Sequence, residues 1–154
     1  ANDFAVDKEV RDHFLSWMKE NDIDASYLCY LYATAPFITV ETLKGCFDLL
    51  LLNKSDSVQT ITTYSTSPLR AMVKGSNHLL DYKWKEYSKC RSQDLPIFYH
   101  DAGQCYFYNL NRYPGNNEIL GYILPRTLCQ DIDTKEDLQI AQQLLEYKNK
   151  ISKK

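Results

Sequence analysis

The chain has 154 residues and a formal net charge of −2, from 18 Lys and Arg against 20 Asp and Glu. Hydrophobic residues make up 44% of it and charged residues 25%, with only 5 Gly and 5 Pro, which excludes disordered and collagen-like chains. The balanced charge provides no bulk basic field for nucleic acid or anionic lipid, and no apolar stretch approaches the ~20 residues of a membrane span. We expect one soluble, cytoplasmic domain over residues 1–154 that binds neither nucleic acid nor membrane.

Five cysteines are widely spaced and form no C-x-x-C pair, so neither a disulfide framework nor a zinc site is indicated. The three histidines also lack metal-binding spacing. We expect free thiols in a reducing compartment.

The first half of the sequence alternates helical and strand patterns. Apolar residues recur at helical spacing over residues 6–21 and again over residues 40–52, where Thr39 is the expected N-cap. The aromatic run at 26–32 predicts a strand covered on both faces in a parallel sheet, and the alternation at 57–63 predicts a second strand. This order indicates an α/β fold.

The second half is more irregular. Strands are predicted at 69–73, 105–110 and 119–123, a turn at 113–117, and an arm around residues 75–98 that includes a hairpin at 79–84. A final helix follows residues 133–136, where Asp133 and Glu136 have the spacing of a capping box.

Asp131 and Asp133 are the first candidates for chemistry. Two residues apart at the end of a strand, both side chains would point to one face and could share a hard cation such as Mg²⁺. A metal held there could bridge the carboxylates to the phosphate oxygens of a nucleotide. The competing interpretation is structural, because Asp133 could simply cap the final helix.

A second polar cluster spans residues 89–96 and 99–104 and is typical of a binding loop. Arg91 can grip a carboxylate or phosphate, Gln93 and Gln104 can donate and accept, and Gly103 allows close approach of a backbone. An ordinary solvated surface loop is the alternative. His100 beside Asp101 makes only a weak acid–base pair, because adjacent residues of an extended segment point to opposite faces.

Four short motifs occur in an order and spacing that together resemble the acylneuraminate cytidylyltransferases. They are Ala-Thr-Ala-Pro-Phe-Ile-Thr at 33–39, Arg-Ser-Gln-Asp-Leu at 91–95, His-Asp-Ala-Gly-Gln at 100–104 and Gln-Asp-Ile-Asp-Thr at 130–134. The His-Asp-Ala-Gly-Gln box resembles the pseudaminic acid branch most. The resemblance extends from residue 2 to the final helix, although Ala33 replaces a usual proline and Cys105 a common aromatic residue.

The resemblance implies an enzyme that transfers CMP from CTP to a nine-carbon sugar acid, pseudaminic acid first and N-acetylneuraminic acid next, with Mg²⁺ and release of pyrophosphate. The implied fold is a three-layer α/β/α nucleotide-diphospho-sugar transferase-like sandwich with a mixed sheet and an arm that commonly dimerises, so a homodimer is expected. Asp131 and Asp133 match the metal-binding aspartates. The implied substrate-binding residues are Thr34, Ala35, Arg91, Gln93, Asp101 and Gln104.

One departure from the family pattern is large. Members begin with a strand that leads into an A-R-x-G-S-K type loop, and this sequence contains no such glycine-rich phosphate cradle. We therefore expect a chain that lacks the N-terminal CTP-binding segment. Two alternatives stay open: a noncatalytic module that binds a sugar acid or a partner, and an unrelated α/β protein whose loops match by chance.

Overall fold

Three α-helices and six β-strands form the main regular elements of the described residues, 6–112, 115 and 118–151, in this computed structural model. Their alternation along the chain confirms the α/β class. None of the helices within these residues combines the length and apolar composition that crossing a bilayer requires. In chain order the elements are α1 (Asp7–Glu20), β1 (Tyr27–Leu31), α2 (Val40–Asn53), β2 (Ser57–Thr63), β3 (Met72–Lys74), β4 (Leu80–Tyr82), β5 (Tyr99–Asn109), β6 (Ile119–Ile123) and α3 (Lys135–Ile151).

The main sheet has four strands in the order β1-β5-β2-β6. β5 runs antiparallel to both of its neighbours, while β2 and β6 are parallel, which confirms the mixed sheet. β1, β2 and β6 thus share one direction, and their carboxyl ends meet at one end of the sheet. The parallel pairing predicted for residues 26–32 is wrong, because β5 lies between the parallel strands and pairs with β1 in the opposite direction.

Helices cover both faces of this sheet. On one face, Cys46 and Leu50 of α2 form a buried cluster with β-strand side chains that include Cys105. On the other face, the Arg11 guanidinium of α1 donates to the Tyr108 hydroxyl at 2.8 Å and lies 4.7 Å from the centre of its ring. Residues 105 and 108 point to opposite faces because strand side chains alternate. The result is a helix–sheet–helix sandwich.

The predicted N-cap of α2 is confirmed, since the Thr39 hydroxyl accepts a hydrogen bond from the backbone N–H of Thr42. All five cysteines are free, as expected. The Sγ atoms of Cys46 and Cys105 lie 3.9 Å apart in the core. Burial raises the pKa of the neighbouring Cys29 thiol to about 11. The buried Cys46 and Cys105 behave as small apolar side chains in the core.

A separate two-stranded sheet follows β2. Met72–Lys74 pairs antiparallel with Leu80–Tyr82, so only the second strand of this hairpin lies within the segment predicted to form the arm, and the first strand precedes it. The strand predicted at 69–73 starts too early, because Pro68–Arg70 forms a 3₁₀ turn and proline has no N–H to donate to a ladder. A protruding arm that dimerises stays a prediction.

Two other boundaries differ from expectation. β5 begins at Tyr99 rather than at residue 105, so the polar box at 100–104 is part of a strand. β2 and β6 have the predicted bounds. The turn predicted at 113–117 lies outside the described residues except for Gly115.

The core depends on α2 packing against the sheet, and a matched pair of leucines tests this. Leu50 is fully buried, whereas Leu52 of the same helix is 83% exposed. Leu50→Ala should lower the free energy of unfolding by roughly 2–5 kcal/mol because it removes buried surface and leaves a cavity. Leu52→Ala should change it by no more than about 0.5 kcal/mol. Urea denaturation measures both, and equal effects would contradict the packing.

Candidate functional site

The His-Asp-Ala-Gly-Gln box forms a wide bulge in the middle of β5. Ile61 of β2 pairs with Asp101, and Gln59 pairs with Tyr106, so two steps along β2 correspond to five along β5. β5 therefore carries three extra residues that leave the ladder at this point. Bulges bend a strand and redirect its side chains, and they are common next to active sites. The expectation of a loop at 99–104 is corrected to a bulged strand.

Gly103 allows the bulge to form. Its φ of +60° lies in the left-handed region that glycine reaches without steric cost. The Asp101 carboxylate accepts a hydrogen bond from the Gly103 N–H at 2.8 Å, and its other oxygen accepts one from the Tyr106 hydroxyl at 2.8 Å. Both oxygens of Asp101, predicted to bind substrate, are thus engaged inside the protein.

The Thr60 side chain forms hydrogen bonds with backbone groups of β5 next to the bulge. Its hydroxyl accepts a hydrogen bond from the Cys105 N–H at 3.2 Å and donates one to the Cys105 carbonyl at 3.3 Å. Thr60 is completely buried. A side chain therefore replaces ladder bonds that the extra residues interrupt, as buried backbone groups require.

Asp131 packs directly against the bulge. A Cβ atom built on Gly103 would lie 3.0 Å from the Asp131 Oδ2, so only glycine lets the carboxylate come this close. The next residue, Ile132, donates its backbone N–H to the Thr34 carbonyl at 3.2 Å. The loop after β1 and the segment before α3 thus meet at the carboxyl ends of the parallel strands, where open α/β sheets bind ligands. Thr34 is half-buried and the adjacent Ala35 is buried.

The Asp131 carboxylate has an unusual environment. Its Oδ1 is buried and makes no hydrogen bond. An unsatisfied buried oxygen costs about 1–3 kcal/mol, more for a charged group, unless a ligand contacts it. Among the described residues, no group of three or more His, Cys, Asp and Glu side chains could enclose a metal. Mg²⁺ usually takes only one or two carboxylates and keeps its remaining positions for water and phosphates. The carboxylates of Asp131 and Asp133 therefore fit that ion.

The capping box of α3 is displaced by one residue from the prediction. Thr134 and Asp137 form it: the Asp137 N–H donates to the Thr134 hydroxyl at 3.2 Å, and the Thr134 N–H donates to the Asp137 carboxylate at 2.8 Å. These bonds, led by the Thr134 hydroxyl, lower the pKa of Asp137. The predicted pair of Asp133 and Glu136 is wrong. Asp133 is exposed outside the box, so the capping role that competed with metal binding belongs to other residues.

The strand predicted to end at the two aspartates is also wrong. β6 ends at Ile123, and a 3₁₀ turn at Arg126–Leu128 intervenes before the aspartates. Irregular backbone, not strand alternation, therefore places Asp131 against the bulge.

Gln104 is buried and connects β5 to a neighbouring segment. It is completely buried, and its amide Nε2 donates to the Leu128 carbonyl. Its backbone carbonyl accepts the Tyr32 N–H at 3.0 Å. Gln104 therefore ties β5 to the segment that precedes the aspartates, a different arrangement from the exposed binding group that the sequence suggested.

Arg91 and Gln93 lie on an exposed turn. The Arg91 guanidinium forms a two-point ion pair with Asp94, with N–O distances of 2.7 and 2.9 Å. No described contact joins them to Asp131. Of the predicted site residues, the structure brings together Thr34, Ala35, Asp101, Gln104 and Asp131, with Asp133 two residues along the chain; it does not bring Arg91 or Gln93 to them.

His100 forms no dyad with the Asp101 side chain. Its Nδ1 lies 2.7 Å from the Asp101 carbonyl oxygen, to which the ring donates as the Nδ1–H tautomer. Its ring stands edge-on to that of Tyr64, with 4.7 Å between the ring centres. This agrees with the sequence argument that adjacent residues of an extended segment make a poor acid–base pair.

Sequence reasoning missed a row of tyrosines beside the bulge. The Tyr32 hydroxyl donates to the Asp7 carboxylate of α1, and the Tyr32 and Tyr106 rings lie 5.3 Å apart. Burial, followed by the bond to Asp7, raises the pKa of Tyr32 to about 12. Burial, then bonds to Tyr32 and Asp101, also raises the pKa of Tyr106. Both hydroxyls therefore stay protonated at neutral pH and link α1 to the bulge. The dense tyrosine run in 27–32 was the available signal.

Comparison with known proteins finds relatives that share one name. The pseudaminic acid cytidylyltransferase of Campylobacter jejuni subsp. jejuni serotype O:2 is 30% identical over 146 residues, 92% of this chain and 63% of the relative. The chain is related to the cytidylyltransferases. The enzyme of the same name from serotype O:23/36 is 29% identical over the same shares of both proteins. No protein-family model matches the chain.

A third relative is bifunctional. It is the Helicobacter pylori pseudaminic acid cytidylyltransferase and UDP-2,4-diacetamido-2,4,6-trideoxy-beta-L-altropyranose hydrolase, 33% identical over 107 residues, 69% of this chain and 20% of that protein. These similarities confirm the family resemblance seen in the four motifs. The chain spans about 63% of the length of the Campylobacter relatives.

Gly103 offers a test of the bulge. Gly103→Ala would hold an L-residue at positive φ and push its methyl against the Asp131 carboxylate, so it should lower the free energy of unfolding by more than about 1 kcal/mol. Gly75→Ala is the control, because its Cβ would lie 3.7 Å from its nearest neighbour, the Leu79 carbonyl oxygen, at a φ of −83°. Thermal or urea unfolding compares the two, and equal small effects would refute the strained bulge.

The cap of α3 provides a second test. Thr134→Ala should lower the free energy of unfolding by about 1 kcal/mol because it removes the N-cap, whereas Asp133→Ala should change it by less than about 0.5 kcal/mol. Because the pKa of folded Asp137 is lowered, its contribution is present above its ordinary pKa of 3.8 and is lost as the pH falls through the lowered folded value. Urea midpoints of both variants measured at pH 7 and pH 3 check this. A larger loss of stability for Asp133→Ala than for Thr134→Ala would show that Asp133 is the cap.

Proposed function

We propose that the chain is the sugar-acid-binding and metal-binding part of an enzyme that transfers CMP from CTP to a nine-carbon sugar acid and releases pyrophosphate. Pseudaminic acid is the proposed acceptor, with N-acetylneuraminic acid next, because the relatives carry the name of the former. The observation that carries the proposal is the buried, partnerless Oδ1 of Asp131 at the carboxyl end of the sheet.

The position of Asp131 supports phosphate chemistry. Its carboxylate lies against a glycine, beside the loop after β1, at the end of the sheet where α/β folds bind ligands. Asp133 is two residues away, exposed, and not used by the helix cap. In the proposed enzyme these two carboxylates hold Mg²⁺. When bound, that ion neutralises phosphate charge and orients the triphosphate for attack.

The other residues of the site act by positioning. Asp101 and Thr60 fix the bulge through their hydrogen bonds, and Gln104 fixes the distance between the bulge and Leu128. Rigid support of this kind holds reacting groups in place, which supplies a large part of the catalysis in group-transfer enzymes. Thr34 and Ala35 then present the loop after β1 to the substrate.

The complete reaction requires more than these residues. The sequence contains no glycine-rich loop to cradle a triphosphate, and the chain matches about 63% of the relatives' length. In the proposed enzyme, residues outside this sequence hold the CTP phosphates. The five free cysteines agree with the reducing cytoplasm that we propose as its location.

Pyrophosphate release tests the proposal. An enzyme that contains this chain together with the residues that hold the CTP phosphates, incubated with CTP, pseudaminic acid and Mg²⁺, should release pyrophosphate, and Asp131→Asn should reduce the rate on the order of 100-fold, as loss of one electrostatic group in a catalytic site does. Asp24→Asn, an exposed aspartate outside the site, is the matched control. Folded protein that releases none with Mg²⁺ present would reject catalysis by this chain.

Calorimetry distinguishes a catalytic role for this chain from the noncatalytic alternative. A binding module would take up the sugar acid and show no CTP affinity, whereas micromolar CTP binding would oppose it.

A further inference from the structure

A cavity of about 500 Å³ opens at the carboxyl end of β2, beside the proposed metal site. Its floor is the end of β2 with Thr63, and one wall is α3 with Ile140 and Leu144. Gln130 joins the cavity to the metal site, since its amide donates to the Asp131 carbonyl at 2.8 Å. Ligand pockets commonly have this size and lie at such strand ends.

Hydroxyl groups line the floor of the cavity. Thr63, Tyr64 and Ser65 follow one another at the end of β2. Within the described residues, none of their side-chain hydroxyls has a recorded hydrogen bond. They are therefore available to a ligand rich in hydroxyls.

Arg126 supplies the positive charge of the cavity. It begins the 3₁₀ turn after β6, and it is the one Lys or Arg among the cavity's described lining residues. Its guanidinium makes no recorded ion pair or hydrogen bond with the described part of the chain. By contrast, Arg91 is paired with Asp94 and Arg112 with Asp56. An unpaired guanidinium fork matches the two oxygens of a carboxylate.

We propose that Arg126 anchors the carboxylate of the sugar acid in this cavity and so sets the preference for acids over neutral sugars. The inference rests on the proposed function and extends it to a residue outside the four motifs. The hydroxyls at 63–65 face the sugar hydroxyls, and Ile140 and Leu144 cover the acyl methyl groups. A neutral analogue cannot form the charged pair with Arg126, so it should bind more weakly than the acid.

Direct binding tests this without catalysis. Calorimetry with N-acetylneuraminic acid and pseudaminic acid, in the absence of CTP, should show that at least one acid binds the chain and that its methyl ester binds roughly tenfold or more weakly, as loss of a charged hydrogen bond predicts. Arg126→Gln should lower affinity for the acid by a similar factor and leave affinity for the ester unchanged. Arg126→Lys should retain part of the difference, because it keeps the charge and loses the fork.

Arg70→Gln is the matched control. It removes the same charge from a half-buried arginine that donates to Ser92, outside the cavity lining, and it should bind the acid as wild type does. Thermal unfolding shows whether each variant is folded. The inference is overturned if neither acid binds, if acid and ester bind equally, or if Arg126→Gln binds the acid as wild type does.

Pyrophosphate assays on the same proteins separate this inference from the proposed function. Acid binding that depends on Arg126, without pyrophosphate release, supports the inference and rejects catalysis by this chain. Pyrophosphate release that is unaffected by Arg126→Gln over a range of sugar-acid concentrations rejects the inference and leaves the function in place.

Discussion

The left-handed backbone at Gly103 is the constraint on which the arrangement of the site depends. Three residues more than the ladder can hold are accommodated in β5 only because one of them reaches a φ of +60°. The absence of a side chain there also admits the Asp131 carboxylate. One glycine thus determines both the shape of the strand and the position of the acidic group proposed to hold a metal.

Around this glycine, side chains form hydrogen bonds with backbone groups that would pair with each other in a regular sheet. Thr60 bonds both the N–H and the carbonyl of Cys105, and Asp101 bonds the N–H of Gly103. Gln104 reaches the Leu128 carbonyl. Each substitutes for a ladder bond or joins two segments and so stabilises the bulge, although the Gln104 Oε1 is buried without a hydrogen bond. The polar composition of the 100–104 box follows from these needs as much as from any ligand.

The sequence predicts the regular elements well and the irregular ones poorly, for a physical reason. Helical spacing located α1 and α2, and alternation located β2 and β6, because each pattern reflects one buried face. β5 was missed before residue 105 because a bulge interrupts alternation, so its polar residues look like a loop. The α3 cap was displaced because Asp133 with Glu136 and Thr134 with Asp137 have identical spacing. Only the path of the backbone after β6 selects between them.

That displaced cap changes how the two aspartates are interpreted. Helix initiation accounts for Thr134 and Asp137, and the bulge accounts for Asp101, yet no structural need accounts for a carboxylate oxygen of Asp131 that is buried without a hydrogen bond. The Gln104 Oε1 and the Ser55 and Ser67 hydroxyls are also buried without a hydrogen bond, so what distinguishes Asp131 is that its group is a carboxylate at the carboxyl end of the sheet, where a ligand can complete it. A cation beside Asp131 would remove the penalty, and the exposed carboxylate of Asp133 would leave room for phosphate oxygens on its other side. The unsatisfied oxygen is therefore a stronger argument for metal-dependent phosphate chemistry than the spacing of the aspartates, which fits a helix cap equally well.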